Sequence, residues 1–257
     1  MSIWLELKAN GLTLKNNMKS SEILKQTLHR QFEYPKHSWK FYQEWNEAIF
    51  LHWEVDQVLI KPLLPKNIEL DSINGKTWVS LVAFNMNNIG VKSLPKVPHI
   101  SDFYEINIRV YVIYNGKPSV YFLSMEGSKR SSCKVLKALS KFPYRYSKMK
   151  RDDSNYKSNN TKFNDSFHIK YKLDNFPIKK DKTDLWLTER YAVFQDHKKH
   201  IIEYDVHHVE WPIQNINIEN LKIDYPRFNH IINNKPDRVH YSKGVQVLTW
   251  DKRKHKL

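Results

Sequence analysis

The residues best suited to chemistry lie on one face of a single hairpin. Between Tyr104 and Tyr114 the chain alternates, with Tyr104, Ile106, Ile108, Val110 and Val112 on one side and Glu105, Asn107, Arg109 and Tyr111 on the other. Asn115-Gly116 predicts a two-residue type I′ turn, because both residues tolerate positive φ. That turn sets Glu105 opposite Glu126, Asn107 opposite Ser124, Arg109 opposite Phe122 and Tyr111 opposite Val120. Two facing carboxylates would repel, raising one pKa and leaving an acid beside a base. The planar fork of Arg109 suits the paired oxygens of a carboxylate or an enolate. Glu105 and Arg109, four strand residues and roughly 13 Å apart, could then hold opposite ends of one ligand. The competing reading is a wet face, the ordinary condition of a half-exposed antiparallel sheet.

The elements that must position these residues are mostly strands. Phe50–Val55 reads as a strand, followed by an apolar turn closed by Pro62 and Pro65. A second Asn-Gly turn, Asn74-Gly75, feeds a strand from Trp78 to Met86 that is apolar on both faces and therefore central. GVKSLPKVPHI is a loop, and residues 21–31 have the spacing of a short helix. After the hairpin the period changes to that of a helix, with Val135, Leu136, Leu139 and Phe142 on its apolar side and Pro143 ending it. The Asn- and Ser-rich stretch from Asp152 to Asp165 is a surface loop or loose hairpin that could gate access. Strands resume at SFHIKYKL, TDLWLTERYAVFQ, HIIEYDVHHVEW and YSKGVQVLTW, and the last basic residues fray.

At 257 residues, with 13% aromatics, eight Trp and only six Gly, the composition favours one packed β-rich domain over a disordered or repetitive chain. The expected organisation is an N-terminal extension over 1–38, a single domain over 39–250 and a basic tail over 251–257. No long apolar run suggests membrane insertion, the start lacks a signal peptide, and one cysteine cannot form an internal disulfide, so a cytoplasmic location is expected. Met18 is an alternative start.

The net charge of +15 draws attention to nucleic acid, and nine basic side chains with no acidic one fall in residues 128–151. Lys, Asn and Ile are abundant throughout, however, as AT-rich coding produces, and the basic helix face is most simply a solvated one. Phosphate-cradling and redox fingerprints of the GxGxxG, GxxxxGK[ST], CxxC and GxSxG kinds do not occur in the sequence. No cofactor is expected. His207-His208 cannot chelate one ion from a strand, because adjacent residues point to opposite faces, and no metal is expected. Cys133 sits by the apolar stripe and reads as packing. Glu189 and Arg190, between apolar neighbours, are either a wet face or a buried pair.

The segments FLHWEV, LLP, IELD, GKTWVSLVAFNM, DFYEINIRVYV, SVYFLSM, FPY, LTERY and VHHVEWPIQ, in this order from Trp39 to Trp250, resemble the YqjF-like family of uncharacterised proteins. That family is more distantly similar to acetoacetate decarboxylase, and the resemblance implies a mainly β cone or barrel enclosing a pocket, flanked by a few helices. In the decarboxylase a lysine directly after a Gly-aromatic-Pro turn forms a Schiff base with the β-keto acid. The matching stretch here is Phe142-Pro143-Tyr144, which puts a phenol at the lysine's place, and Lys141 belongs to the preceding helix. The decarboxylase's acidic residue is best matched by Glu105.

Placed in such a barrel, the polar face becomes a pocket wall. The expectation is a protein that binds a small carbonyl or carboxylate compound, with lysine-independent acid-base chemistry if it is an enzyme. Glu105, Glu126 and Tyr144 are the candidate catalytic groups, and Asn107, Arg109, Phe122, Ser124, Glu189 and Arg190 the candidate ligand contacts. The alternatives are a ligand sensor without turnover and, less favoured, a binder of nucleic acid or an anionic surface through residues 128–151.

Overall fold

The computed structural model describes residues 18–92 and 101–256. The first 17 residues, and with them the choice between Met1 and Met18, lie outside the described residues, as does most of the GVKSLPKVPHI loop. The strands are β1 (Phe41–Val55), β2 (Glu69–Leu70), β3 (Thr77–Val91), β4 (Phe103–Tyr114), β5 (Lys117–Gly127), β6 (Tyr144–Tyr146) and β7 (Lys148–Arg151). They continue as β8 (Asn155–Asn160), β9 (Asp165–Pro177), β10 (Ala192–His197), β11 (His200–His208), β12 (Ile213–Asp224), β13 (Arg238–Thr249) and β14 (Arg253–Lys256). The α-helices are short: α1 (Ser20–Lys25), α2 (Gln57–Ile60), α3 (Arg130–Ser140) and α4 (Lys182–Thr188).

The sheet runs β14-β11-β10-β5-β4-β3-β1-β13-β12-β9-β8-β7, and an added pairing of β11 with β13 turns its middle into a closed ring. His207 opposite Leu248 and His208 opposite Val247 make that closure. Closure satisfies the strand edges that an open sheet would leave unpaired. Ring strands contribute to one apolar cluster containing Phe50, Val82, Tyr111, Phe122, Val193, Val206 and Val247, which marks the inside of the ring. Their opposite faces, with Leu51, Leu81, Ile106 and Ile108, pack against Tyr156, Phe167 and Ile169 of the β8–β9 wing. Burial on both faces explains why β3 is largely apolar from Trp78 to Phe84.

Both Asn-Gly turns form as expected, with positive φ at Asn74, Gly75, Asn115 and Gly116. Four local expectations are corrected. TDLWLT is the helix α4, not a strand, because Asp181 and Asp184 each accept the other's backbone N–H and so cap it. The basic tail does not fray: it pairs with β11, and Arg253 and His255 reach the Glu203 carboxylate. Helix α3 stops at Ser140, with Lys141 in the left-handed region, and it buries Ser132 and Cys133 while Leu139 is exposed. The first helix spans only Ser20–Lys25, and Leu28 is fully exposed. The Asn-rich stretch contains β8, so it is a hairpin within the wing.

Candidate functional site

The hairpin holds the predicted register only near its turn. Tyr114 faces Lys117, Tyr111 faces Val120 and Arg109 faces Phe122, but a bulge then leaves Leu123 unpaired. Beyond it Ile108 faces Ser124, Asn107 faces Met125, Ile106 faces Glu126 and Glu105 faces Gly127. An extra residue moves every later side chain to the other face. Glu126 and Ser124 therefore point away from Glu105 and Asn107, and the expected facing pair of carboxylates does not exist.

Inside the ring, β4 presents Glu105, Asn107, Arg109 and Tyr111 in a row. All four are buried, Glu105 to 1% exposure and Arg109 to 9%. The face is dry, not the wet side of a half-exposed sheet. Tyr144, on β6 beside Met125, also enters this interior. Its hydroxyl donates to Glu105 Oε2 at 2.6 Å, and the Asn107 amide lies 3.5 Å from Glu105 Oε1. Burial pushes the Glu105 carboxyl up to about 7, against the opposing pull of the Tyr144 and Asn107 hydrogen bonds. Burial, with the Glu105 charge adding to it, also drives the Tyr144 phenol well above its ordinary range.

Arg109 is the most exposed of this row to unmet demand. Its Nη2 makes one long bond of 3.4 Å to the Leu187 carbonyl, its Nε is buried without a partner, and no carboxylate forms an ion pair with it among the described residues. Phe50, 5.8 Å from its guanidinium carbon, and the facing Phe122 give it apolar neighbours. The Asn107 Oδ1 atom is likewise buried and unpartnered. A guanidinium and an amide oxygen left open inside a protein are exceptions to the rule that buried polar groups are bonded.

Of the other predicted polar residues, Ser124 on the outer face has its hydroxyl buried without a partner, while Glu126, Glu189 and Arg190 have protein partners. Glu126, on the outer face, accepts from Arg145 at 2.9 Å, Ser147 at 2.6 Å and Ser158 at 3.2 Å. Arg145 also pairs with Asp165 at 2.6 Å, and burial raises the Asp165 carboxyl to about 6. Glu189 and Arg190 are a buried set with separate partners: Arg190 pairs with Asp71 at 2.6 Å, and Glu189 accepts the Trp211 N–H and the Tyr191 hydroxyl. Lys141 donates to the Ala138 carbonyl at 2.5 Å and lines a cleft of about 350 Å³ with Tyr121, Gln195 and Asp196. Of the basic residues in 128–151, Arg145 and Arg151 are consumed internally, Arg151 bonding Asn85 and Tyr171. His207 and His208 bond separately, to Ile23 and Val209 carbonyls.

Sequence reasoning missed a set of polar groups on the same inner face. Ser80 stands beside Arg109 in the sheet, His52 stands beside Ser80, and His240 on β13 completes the group with Asp184 of α4. Each histidine sits singly among apolar strand residues, so only the sheet register brings them together. The one available signal was Asp181-x-x-Asp184, a capping pattern that marks α4 as a helix.

This geometry can be set beside known proteins. A family model described as an uncharacterized conserved protein, DUF2071, matches residues 42–246. The chain belongs to this family. A curated relative, the uncharacterized protein YqjF of Bacillus subtilis, is 34% identical over 230 residues, covering 86% of this chain and 94% of that one. Solved structures share the fold at low identity. An acetoacetate decarboxylase from Legionella pneumophila superposes with a TM-score of 0.59 at 14% identity, over 88% of this chain and 92% of that one. The enduracididine biosynthesis enzyme MppR complexed with pyruvate gives 0.59 at 9% identity, over 86% and 93%. An acetoacetate decarboxylase-like enzyme from Sphingomonas wittichii gives 0.56 at 11% identity, over 88% and 98%. The DUF2071 chain thus has an acetoacetate decarboxylase-like, mainly β fold. No helix among its described residues is long and apolar enough to cross a membrane.

Proposed function

We propose that the interior of the ring binds a small molecule carrying a carboxylate or a carbonyl, held by Arg109 and Asn107 and handled by Glu105 and Tyr144. The observation that carries this reading is Arg109, a buried guanidinium with an open Nε and no carboxylate at ion-pair distance among the described residues. A bidentate anion satisfies such a fork, and the lack of a carboxylate partner among the described residues leaves that role to a ligand. Asn107 Oδ1 adds an open acceptor between Arg109 and Glu105. A carboxyl raised to about 7 exchanges a proton readily near neutrality, which is what a general acid or base requires. Tyr144, which the resemblance puts at the place of the decarboxylase lysine, cannot form an imine, so the chemistry we propose is proton transfer: enolisation, hydration or lactone opening. That one fold neighbour holds pyruvate supports the ligand class.

The test is a panel of short 2-oxo acids, 3-oxo acids and lactones, followed in parallel for thermal stabilisation and for turnover. The reading predicts stabilisation by at least one carboxylate-bearing member. Stabilisation without turnover assigns the protein as a sensor with the same site, and no stabilisation by any anionic member rejects the site.

A further inference from the structure

The ring interior holds a second chain of polar groups that this ligand site leaves unused. His240 Nε2 lies 3.1 Å from Asp184 Oδ1, and His240 Nδ1 lies 3.2 Å from His52 Nε2. His52 Nδ1 is 2.6 Å from Ser80 Oγ, which is 2.6 Å from the Tyr111 hydroxyl, itself 2.9 Å from the Leu187 carbonyl. His52, Ser80 and Tyr111 are fully enclosed. The chain begins near the surface, where the one-third-exposed Arg238 pairs with Asp184 at 2.6 Å. It ends at Tyr111, which shares the Leu187 carbonyl with Arg109.

Counting protons from Tyr111 to Asp184 gives two continuous arrangements. In the neutral one, Tyr111 donates to Ser80, Ser80 to His52 Nδ1, His52 Nε2–H to His240 Nδ1, and His240 Nε2–H to the Asp184 carboxylate. With one more proton His240 is an imidazolium donating to both Asp184 and His52. His52 Nδ1–H then donates to Ser80, Ser80 to Tyr111, and Tyr111 to Leu187. Each of the four contacts from Tyr111 to Asp184 carries one proton in either arrangement, and the Tyr111–Leu187 contact carries one only in the second. The arrangements differ by one proton and by the direction of the three middle bonds.

We propose that Asp184, His240, His52, Ser80 and Tyr111 form a proton relay between the Tyr111 phenol inside the ring and the His240–Asp184 pair near the surface. A proton taken up at the Tyr111 oxygen displaces the phenol's own proton to Ser80, the serine's to His52 Nδ1, and the His52 Nε2 proton to His240. One positive charge appears at His240, and the new Tyr111 O–H donates to the Leu187 carbonyl. The charges around the relay fit this assignment. Burial, reinforced by His240 and by Arg109 of β4, holds His52 well below the ordinary histidine range, so the inner ring passes the proton without keeping it. Asp184 stays ionised because hydrogen bonds from His240, the Asp181 N–H and Arg238 outweigh its burial. Arg238 of β13 pairs with Asp181 as well as Asp184, and the Arg190–Asp71 pair beside Tyr111 is internally neutral.

Delivery of this proton to a ligand rests on the site proposed above, but the relay can be read without one. The experiment is a pH titration from 8 to 4 of the full-length, 15N-labelled protein, following both ring nitrogens of His52 and His240. The relay predicts that His240 becomes doubly protonated while His52 switches from the Nε2–H to the Nδ1–H tautomer at the same midpoint. In Ser80→Ala the Nδ1–H of His52 has no acceptor, so the His240 midpoint falls and the switch is lost. Protonation of His240 with an unchanged His52 tautomer, or no change in either ring of the wild type, overturns the proposal.

Discussion

The Tyr144 hydroxyl lies 2.6 Å from Glu105 Oε2, with both side chains sealed inside the strand ring. The bond joins the start of β4 to a residue that follows Phe142-Pro143, 39 positions later in the chain. It places a phenol against a carboxyl that burial has already made hard to ionise. No cation neutralises Glu105 at ion-pair distance among the described residues, so its charge state is set by burial and by two hydrogen bonds.

A raised carboxyl makes the folded state less stable as pH rises. Between about pH 4.5 and about pH 7 the folded protein keeps the Glu105 proton while the unfolded chain releases it. Stability falls across that window by on the order of 3 kcal/mol, and the whole cost is present above it. Glu105→Gln keeps the neutral form at all pH and should flatten this slope in urea titrations at pH 5 and pH 8. Tyr144→Phe removes a bond that favours the carboxylate, so it should move the Glu105 midpoint still higher.

The Leu123 bulge predicts that the two carboxylates of the hairpin respond oppositely to mutation. Glu126 belongs to the outer face and is bonded by Arg145, Ser147 and Ser158. Glu126→Ala leaves Arg145 with Asp165 alone and takes the acceptor from the buried Ser147 and Ser158 hydroxyls, and should cost about 1–3 kcal/mol. Glu105→Gln should be stabilising at pH 8. Denaturation of both variants at that pH checks the contrast, and equal losses would mean that the two residues share one environment.

Gly127, which faces Glu105, has no room for a side chain. A Cβ there would lie 2.7 Å from Cys133 Sγ and 3.3 Å from the Phe103 ring. Gly127→Ala should cost about 1–3 kcal/mol through overpacking, and adding Cys133→Ala should recover part of it. Burial pushes the Cys133 thiol up to about 12, so a thiol-specific reagent should leave it unmodified until the protein unfolds.

Much of this arrangement is legible in the sequence because alternation and turn chemistry are local. Tyr104–Tyr114 and Asn115-Gly116 place Glu105, Asn107, Arg109 and Tyr111 on one face, and the structure keeps them there. The bulge is not legible, since VYFLSME is mixed on both faces and its two sides are both buried, leaving no pattern to report a one-residue slip. The resemblance supplied the ring and hence the dryness of the face, which periodicity cannot distinguish from a wet one. His52, Ser80 and His240 escaped notice for a different reason: they are separated by up to 188 positions and meet only through strand pairing. TDLWLT shows how a short apolar run misleads, because six residues fit a strand or two helical turns equally well and only the Asp181–Asp184 cap decides.

The central claim is that Arg109 holds the anionic end of a ligand inside the ring, and calorimetric titration of Arg109→Met beside the wild type tests it most directly. The ligands are the carboxylate-bearing panel members that stabilise the wild type, and Glu126→Gln serves as the outer-face control. Losing the partner of a buried charge costs about 2–5 kcal/mol, so affinity should fall at least ~30-fold in Arg109→Met. The control should bind like the wild type. Unchanged affinity in a folded Arg109→Met, or an equal loss in Glu126→Gln, would contradict the account.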